Sequence, residues 1–291
     1  MSTPIDPRRE YSNTYIVKDR SNQEELDRVR IQGEMITAGM GGPLPEQPDP
    51  TIFKTVIDIA CGAGDWLLEL AATYPTMTRL VGVDASSPMV NYARAQAAAH
   101  QYGERVTFKV MDALLIVEFP TATFDLVNIR FGSSFLRKWE WPKLLSEFRR
   151  VSSIDGMIRV TESDIVQEST SPALLRVLQI ILQATHQSGR TFDDESNGIT
   201  ESLVGLLIQH GFKDVKTRSY ALEYRAGTPE WQSFYDDTSR AMHTLLPYLR
   251  KFTRLPDDYE QICKQALIEM RQPDFVATWK LLTAWAKPPV Y

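Results

Sequence analysis

Residues 58–64 read Asp58-Ile-Ala-Cys-Gly62-Ala-Gly64 and lie between an apolar run and an amphipathic one. A glycine-rich turn between a strand and the following helix lets backbone approach a ligand and aims helix N–H groups at negative charge. Where that charge is a dinucleotide pyrophosphate, a third glycine follows; here Leu67 stands in its place. Asp58, four residues before the first glycine, would repel a pyrophosphate and suits a cation. Asp84 closes the next apolar run, twenty residues after Gly64, where a carboxylate accepts from both hydroxyls of a ribose. Met111-Asp112-Ala113 ends the third run, placed to accept from an adenine amine, and Asn128 lies near the end of the fourth. A nucleoside carrying an amine, a sulfonium and one small carboxylate fits this set, and S-adenosylmethionine is such a molecule. Ala85 and Met89, just after Asp84, are counted with the cofactor contacts.

The elements that must position these groups follow from hydrophobic period. Short apolar runs at 55–60, 80–84, 106–111, 124–129 and 156–161 read as buried strands. Amphipathic stretches at 65–74 and 88–100, and a helix opened by Pro142, alternate with them. Such alternation predicts a parallel sheet covered by helices on both faces. Asp155-Gly156 reads as the tight turn that introduces the fifth strand. Before this core, residues 24–35 are helical and end in glycine and proline breakers, Gly39 to Pro50. After it come helices at 170–187 and 200–210, the latter with Thr200 as N-cap and Gly211 as stop. A strand at 216–224, an aromatic-rich helical stretch at 228–271 and a last strand at 275–285 complete the chain. Three regions result: a helical cap at 1–50, a cofactor-binding core at 51–165, and an acceptor-covering region with the last two strands at 166–291.

Over residues 55–165 these motifs resemble class I S-adenosylmethionine-dependent methyltransferases. They are similar to the subgroup that modifies quinones and other small molecules, including natural-product C-methyltransferases. The resemblance implies an α/β fold: a Rossmann-like seven-stranded sheet, order 3-2-1-4-5-7-6, last strand antiparallel, under a helical lid. It implies that Gly62 and Gly64 line the methionine part, Asp84 the ribose, and Met111, Asp112 and Ala113 the adenine. Asp58 would orient the loop and contact the amine through water. In similar enzymes an N-terminal helix caps the cofactor, often with a tyrosine near its methionine end, and Tyr15 is the residue placed for that. Cys61 before the first glycine departs from the pattern, though a small buried residue fits there.

Methyl transfer is an in-line displacement at a sulfonium carbon, driven largely by positioning and water exclusion. It needs no side-chain nucleophile, so the acceptor end is less legible. Asn128 and Arg130 sit where the fourth strand would face the methyl group, with Phe131 beside them as an acceptor contact. The prolines that mark methylation of base amines are missing from Asn128-Ile-Arg130-Phe131, and neither Cys61 nor Cys263 is placed for cytosine chemistry. Glu162 and Asp164 are half of a carboxylate metal site; Arg130 spoils the other half, so no metal is expected. Of four histidines, His100 and His210 close helices. His186 and His243 lie in the helical roof, where either is a candidate general base or a packed side chain. We take His186 and Arg130 as the catalytic candidates, and Phe131, Trp231, Tyr235 and His243 as acceptor contacts.

A net charge of −5, with Lys and Arg scattered, gives no basic track for nucleic acid. No uncharged apolar run reaches membrane-spanning length and the first residues are polar, which predicts a cytoplasmic enzyme. Its partner is then a hydrophobic small-molecule acceptor methylated on carbon or oxygen, with S-adenosylhomocysteine as product; the sequence leaves a homo-oligomer open. Two other readings stay open at this level: a cyclase that retains the methyl group, and a non-catalytic binding module.

Overall fold

A computed structural model describes residues 15–17 and 23–289. The beginning of the expected N-terminal cap, residues 1–14, lies outside them. α1 (Gln23–Met40) runs past the expected end of the first helix, and then β1 (Thr55–Ile59) enters the sheet. α2 (Asp65–Thr73), β2 (Arg79–Asp84), α3 (Ser87–Ala99), β3 (Val106–Val110) and β4 (Phe124–Arg130) follow in alternation. α4 (Trp141–Val151) and β5 (Ser152–Ser163) end the core. β6 (Glu168–Ser169), α5 (Pro172–Gln187), α6 (Thr200–Gln209) and β7 (Lys213–Arg225) come next. α7 (Pro229–Thr244), α8 (Leu246–Phe252), α9 (Tyr259–Glu269) and β8 (Val276–Lys287) close the described chain.

The sheet runs β3-β2-β1-β4-β5-β8, with β1 to β5 parallel and β8 antiparallel to β5. β7 pairs antiparallel along almost all of β8, while β6 pairs Ala277 and Thr278 of β8, beyond the stretch that meets β5. The expected seven-strand order is therefore present, with β8 inserted antiparallel between β5 and β7. The two-residue β6 is an eighth strand that short-run periodicity does not reveal. The inner strands are buried almost without interruption, as a sheet covered on both faces requires. Three helices open on a hydroxyl cap followed by proline: Ser86 accepts from Met89 N, Ser171 from Leu174 N and Thr228 from Trp231 N.

Three sequence expectations shift for local reasons. Asp155-Gly156 is not a turn before β5 but lies inside it, where the register with β4 slips between Phe124 and Leu126. A Cβ on Gly156 would come within 3.0 Å of the Phe124 carbonyl, so the irregularity needs glycine. Thr200 is the first residue of α6, not its cap; Ile199 holds that place and the Thr200 hydroxyl donates to Asp164 Oδ1 at 2.5 Å. The helical stretch 228–271 is three helices, interrupted near Leu245 and at Pro256. Among the described residues no helix is long and apolar enough to cross a membrane.

One apolar core packs α4 and α6 on the sheet and another packs α2 and α3 on its other face. A third joins α1, α5, α7, α9 and the first half of β8, forming a helical layer over the C-terminal edge of the parallel strands.

Candidate functional site

Asp58, Asn128 and Arg159 are register partners on three adjacent parallel strands, β1, β4 and β5. Register neighbours on one sheet face meet side by side, and these three bond in sequence. Asn128 Nδ2 donates to Asp58 Oδ1 at 2.7 Å, and Arg159 Nη1 donates to Asn128 Oδ1 at 2.9 Å. Arg159 Nε then donates to Glu46 Oε1 at 2.8 Å, with both side chains fully enclosed. Burial pushes the Asp58 carboxyl up to about 6, against the opposing pull of Arg130 and Asn128. Burial also raises Glu46, but Arg159 more than reverses this and leaves it below the usual carboxylate range. Asn128 thus orients Asp58 from behind rather than lining the cavity.

The loop after β1 depends on backbone conformations that side chains resist. Gly62 and Gly64 have φ of +53° and +86°, and a Cβ on Gly64 would lie 2.6 Å from the Phe108 ring. Gly64 therefore packs the loop onto β3 and does not line the cavity. Ala60 holds φ +57° without the glycine's freedom. Asp84 clamps this loop to β2: its Oδ2 accepts from Gly62 N at 3.1 Å and its Oδ1 from Ser86 N at 2.7 Å. Asp112 is held similarly, Oδ1 accepting from Leu114 N at 2.8 Å.

Asp58, Gly62, Asp84, Ala85, Met89, Met111, Asp112 and Ala113 all line one cavity of about 320 Å³. Tyr15, Arg130 and Phe131 line it as well. Tyr15 donates to Glu25 Oε1 at 2.9 Å, and Arg28 ties Glu25 to Asp237 of α7 with bonds of 2.8 and 3.1 Å. This buried α1–α7 network, with Arg28 and Asp237 in the cavity wall, escaped the sequence reading. The i,i+3 spacing of Glu25 and Arg28 was a visible signal; their partner 209 residues away was not. Arg130 donates to Thr37 Oγ1 at 2.9 Å and is flanked by Asp58 and Asp65, which raise its affinity for the proton while burial lowers it further. Burial and the nearby Glu34 push Asp65 up to about 7.

The roof presents a different set of side chains from those expected. Leu174, Val177, Leu178 and Ile181 of α5 and Phe234, Ala241 and Met242 of α7 line the cavity. His186 does not: its Nε2 lies 2.8 Å from Ser196 O, on another side of α5. His243 is 69% exposed beside Glu24, which removes it from any acceptor contact. Trp231 donates its Nε1–H to Met270 O and packs on Tyr235, whose ring stacks under Arg271 at 4.6 Å, so both aromatic rings pack toward α9. His186, Tyr235 and His243 each neighbour a residue of the cavity wall, Thr185, Phe234 and Met242, so each lies a turn of about 100° about its helix axis from it. Glu162 and Asp164 part ways, to Ser133 and Thr200 respectively, and among the described residues no three His, Cys, Asp or Glu groups could hold a metal ion.

Three buried or half-buried carboxyls raised together have a consequence for stability. Asp58, Asp65 and Glu162 bind protons more tightly in the folded chain than in the unfolded one, at about 6, 7 and 7. Their ionisation on going from pH 5.5 to 8 therefore costs stability, whereas lowered groups such as Glu46 are already ionised throughout that window. The unliganded protein is expected to melt several degrees lower at pH 8 than at pH 5.5, as read by calorimetry. A melting temperature that rises over the same interval contradicts these protonation states.

Residues 56–156 match the family model described as "Methyltransferase domain". The chain is 35% identical over 131 residues to the ubiquinone/menaquinone biosynthesis C-methyltransferase of Geobacter sulfurreducens, covering 43% of this chain and 50% of that one. It is 26% identical over 186 residues to the demethylmenaquinone methyltransferase of Porphyromonas gingivalis, covering 60% and 74%. The chain thus spans about half the length of the first of these relatives. Its fold is similar to phosphoethanolamine N-methyltransferase 2 of Haemonchus contortus, solved with S-adenosylhomocysteine. That likeness has a TM-score of 0.54 at 17% identity, over 97% of this chain and 59% of that one.

Proposed function

We propose that this chain, which carries a class I S-adenosylmethionine-dependent methyltransferase domain, transfers a methyl group to carbon or oxygen of a hydrophobic, quinone-like small molecule. One observation carries the proposal: a single cavity joins the carboxylates at the strand ends to the apolar wall of α5 and α7. S-adenosylmethionine, when bound, supplies an electrophilic methyl group on a cationic sulfonium. The residues present fit it, because Asp84 and Asp112 stand at the ends of β2 and β3 for ribose and adenine, and the Gly62 turn leaves room for the methionine portion beside Asp58. Tyr15 and Arg28 cover that end from the N-terminal side.

The apolar wall orients the acceptor and excludes water, both of which favour displacement. Phe131 and Trp279, stacked at 6.2 Å, offer aromatic faces suited to a flat ring and to a cation. Relatives named for quinone biosynthesis support a quinone-like ring over other apolar acceptors. Retention of the methyl group, or binding without turnover, draws no such support. The test is incubation of the full chain with S-adenosylmethionine and 1,4-naphthohydroquinone, followed by mass spectrometry. A product heavier by one CH₂ with equimolar S-adenosylhomocysteine is expected; turnover of the hydroquinone without mass gain contradicts the proposal.

A further inference from the structure

Beyond β4 the chain makes a strained turn at the cavity. Phe131 sits in the left-handed region, φ 56° and ψ 43°, and its N–H donates to Thr161 O at 2.8 Å. Such strain persists only where surrounding structure enforces it, often at functional sites. The 3-10 turn Gly132–Ser134 that follows carries Ser133 into the cavity wall. Ser133 Oγ lies 2.7 Å from Glu162 Oε2, and Ser133 N donates to Oε1 at 3.2 Å. Glu162 is wholly buried and does not itself line the cavity; Ser133 does. The Ser133 carbonyl accepts from Arg190 Nη1 at 3.1 Å, which fixes the turn from the other side.

A carboxyl enclosed in this way is expensive to ionise, and burial pushes Glu162 up to about 7 although the Ser133 hydroxyl and amide pull it down. A hydroxyl has one proton to donate and lone pairs to accept with. With its proton directed at Glu162, Ser133 meets a ligand in the cavity as an acceptor.

We propose that Ser133 and Glu162 form a proton relay that deprotonates the methyl acceptor, so that the acceptor belongs to the phenols, hydroquinones and enols. The relay rests on the methyl-transfer proposal above and narrows its substrate class. The acceptor's acidic proton passes to Ser133 Oγ as the Ser133 proton passes to the Glu162 carboxylate. The electron pair left on the acceptor forms its bond to the methyl carbon, and the C–S bond breaks with its pair returning to sulfur. Glu162 ends as a carboxylic acid and returns its proton to solvent through Ser133. Ser133 is the catalytic residue here, and Glu162 acts through it. The groups packed around the pair agree: β8 places Leu282 opposite Glu162 in register, and Asp164 is bonded to Thr200. Arg190, on the segment after α5, is the cation in contact with Ser133.

Infrared titration of the full chain with S-adenosylhomocysteine tests the relay without turnover. In an Asp65→Asn background, which removes the other carboxyl raised to about 7, a protonated-carboxyl band that titrates near pH 7 is expected to vanish with Glu162→Gln and to shift to higher pH with Ser133→Ala. A band unaffected by both Glu162→Gln and Ser133→Ala overturns the relay. With 1,4-naphthohydroquinone as acceptor, Glu162→Gln and Ser133→Ala should each lower kcat about 10²-fold or more while leaving S-adenosylmethionine affinity unchanged. Glu162→Gln should also abolish the acid limb of the pH profile, and Glu162→Asp should restore part of it. A Glu162→Gln variant with wild-type rate and profile refutes the relay while methyl transfer stands. A wild type that leaves the hydroquinone unmethylated counts instead against the broader function, and the infrared result then decides the relay alone.

Discussion

Replacing Asp84 by alanine is expected to weaken S-adenosylmethionine binding by roughly 10² to 10⁴-fold, read by titration calorimetry. In the proposed cofactor site the carboxylate would accept from both ribose hydroxyls, and each hydrogen bond to a charged group contributes about 1.5–3 kcal/mol. A second loss adds to the first. Asp84 also clamps the turn, accepting from Gly62 N and Ser86 N, so its removal frees the loop that the methionine portion would contact. Asp84→Asn keeps one acceptor oxygen and should fall between wild type and alanine. An affinity within about threefold of wild type in Asp84→Ala would remove Asp84 from the ribose site.

The largest stability effect is expected at Arg159, which contacts no proposed ligand. Arg159→Met should destabilise the chain by about 3–5 kcal/mol in chemical denaturation, because it leaves Glu46 buried without its counter-charge. The guanidinium also supports Asn128 and lies 5.7 Å over the Trp66 ring, so hydrogen bonding and packing are lost together. Removing both ions, as in Arg159→Met with Glu46→Leu, should recover part of the loss, since an apolar pair of suitable volume can replace a buried ion pair. If the single variant is as stable as the wild type, the relay behind Asp58 has no structural weight.

How much of this was legible in the sequence depends on how local each feature is. Asp58, Asp84 and Asp112 stand out because each closes or adjoins a strand, and strand ends follow from apolar runs alone. Gly62 and Gly64 stand out because few other residues tolerate those backbone angles. Asn128 was seen as a residue near the methyl site, yet register places it between Asp58 and Arg159, a relation among three strands that no single run contains. Ser133 and Glu162 are 29 residues apart and Arg159 and Glu46 are 113 apart, so their pairing exists only in the folded chain. In the roof the difficulty is of another kind. α7 buries Phe234 and Met242 toward the cavity and Tyr235 toward α9, so an aromatic-rich helix with two apolar faces does not disclose which one meets a ligand.

The central claim is that the cavity over the strand ends binds S-adenosylmethionine rather than a dinucleotide. Titration calorimetry of the full chain with S-adenosylmethionine and, separately, with NAD compares the two directly. Saturable one-to-one binding of S-adenosylmethionine, with no measurable heat from NAD, is the predicted result. Saturable binding of NAD with none of S-adenosylmethionine would contradict it.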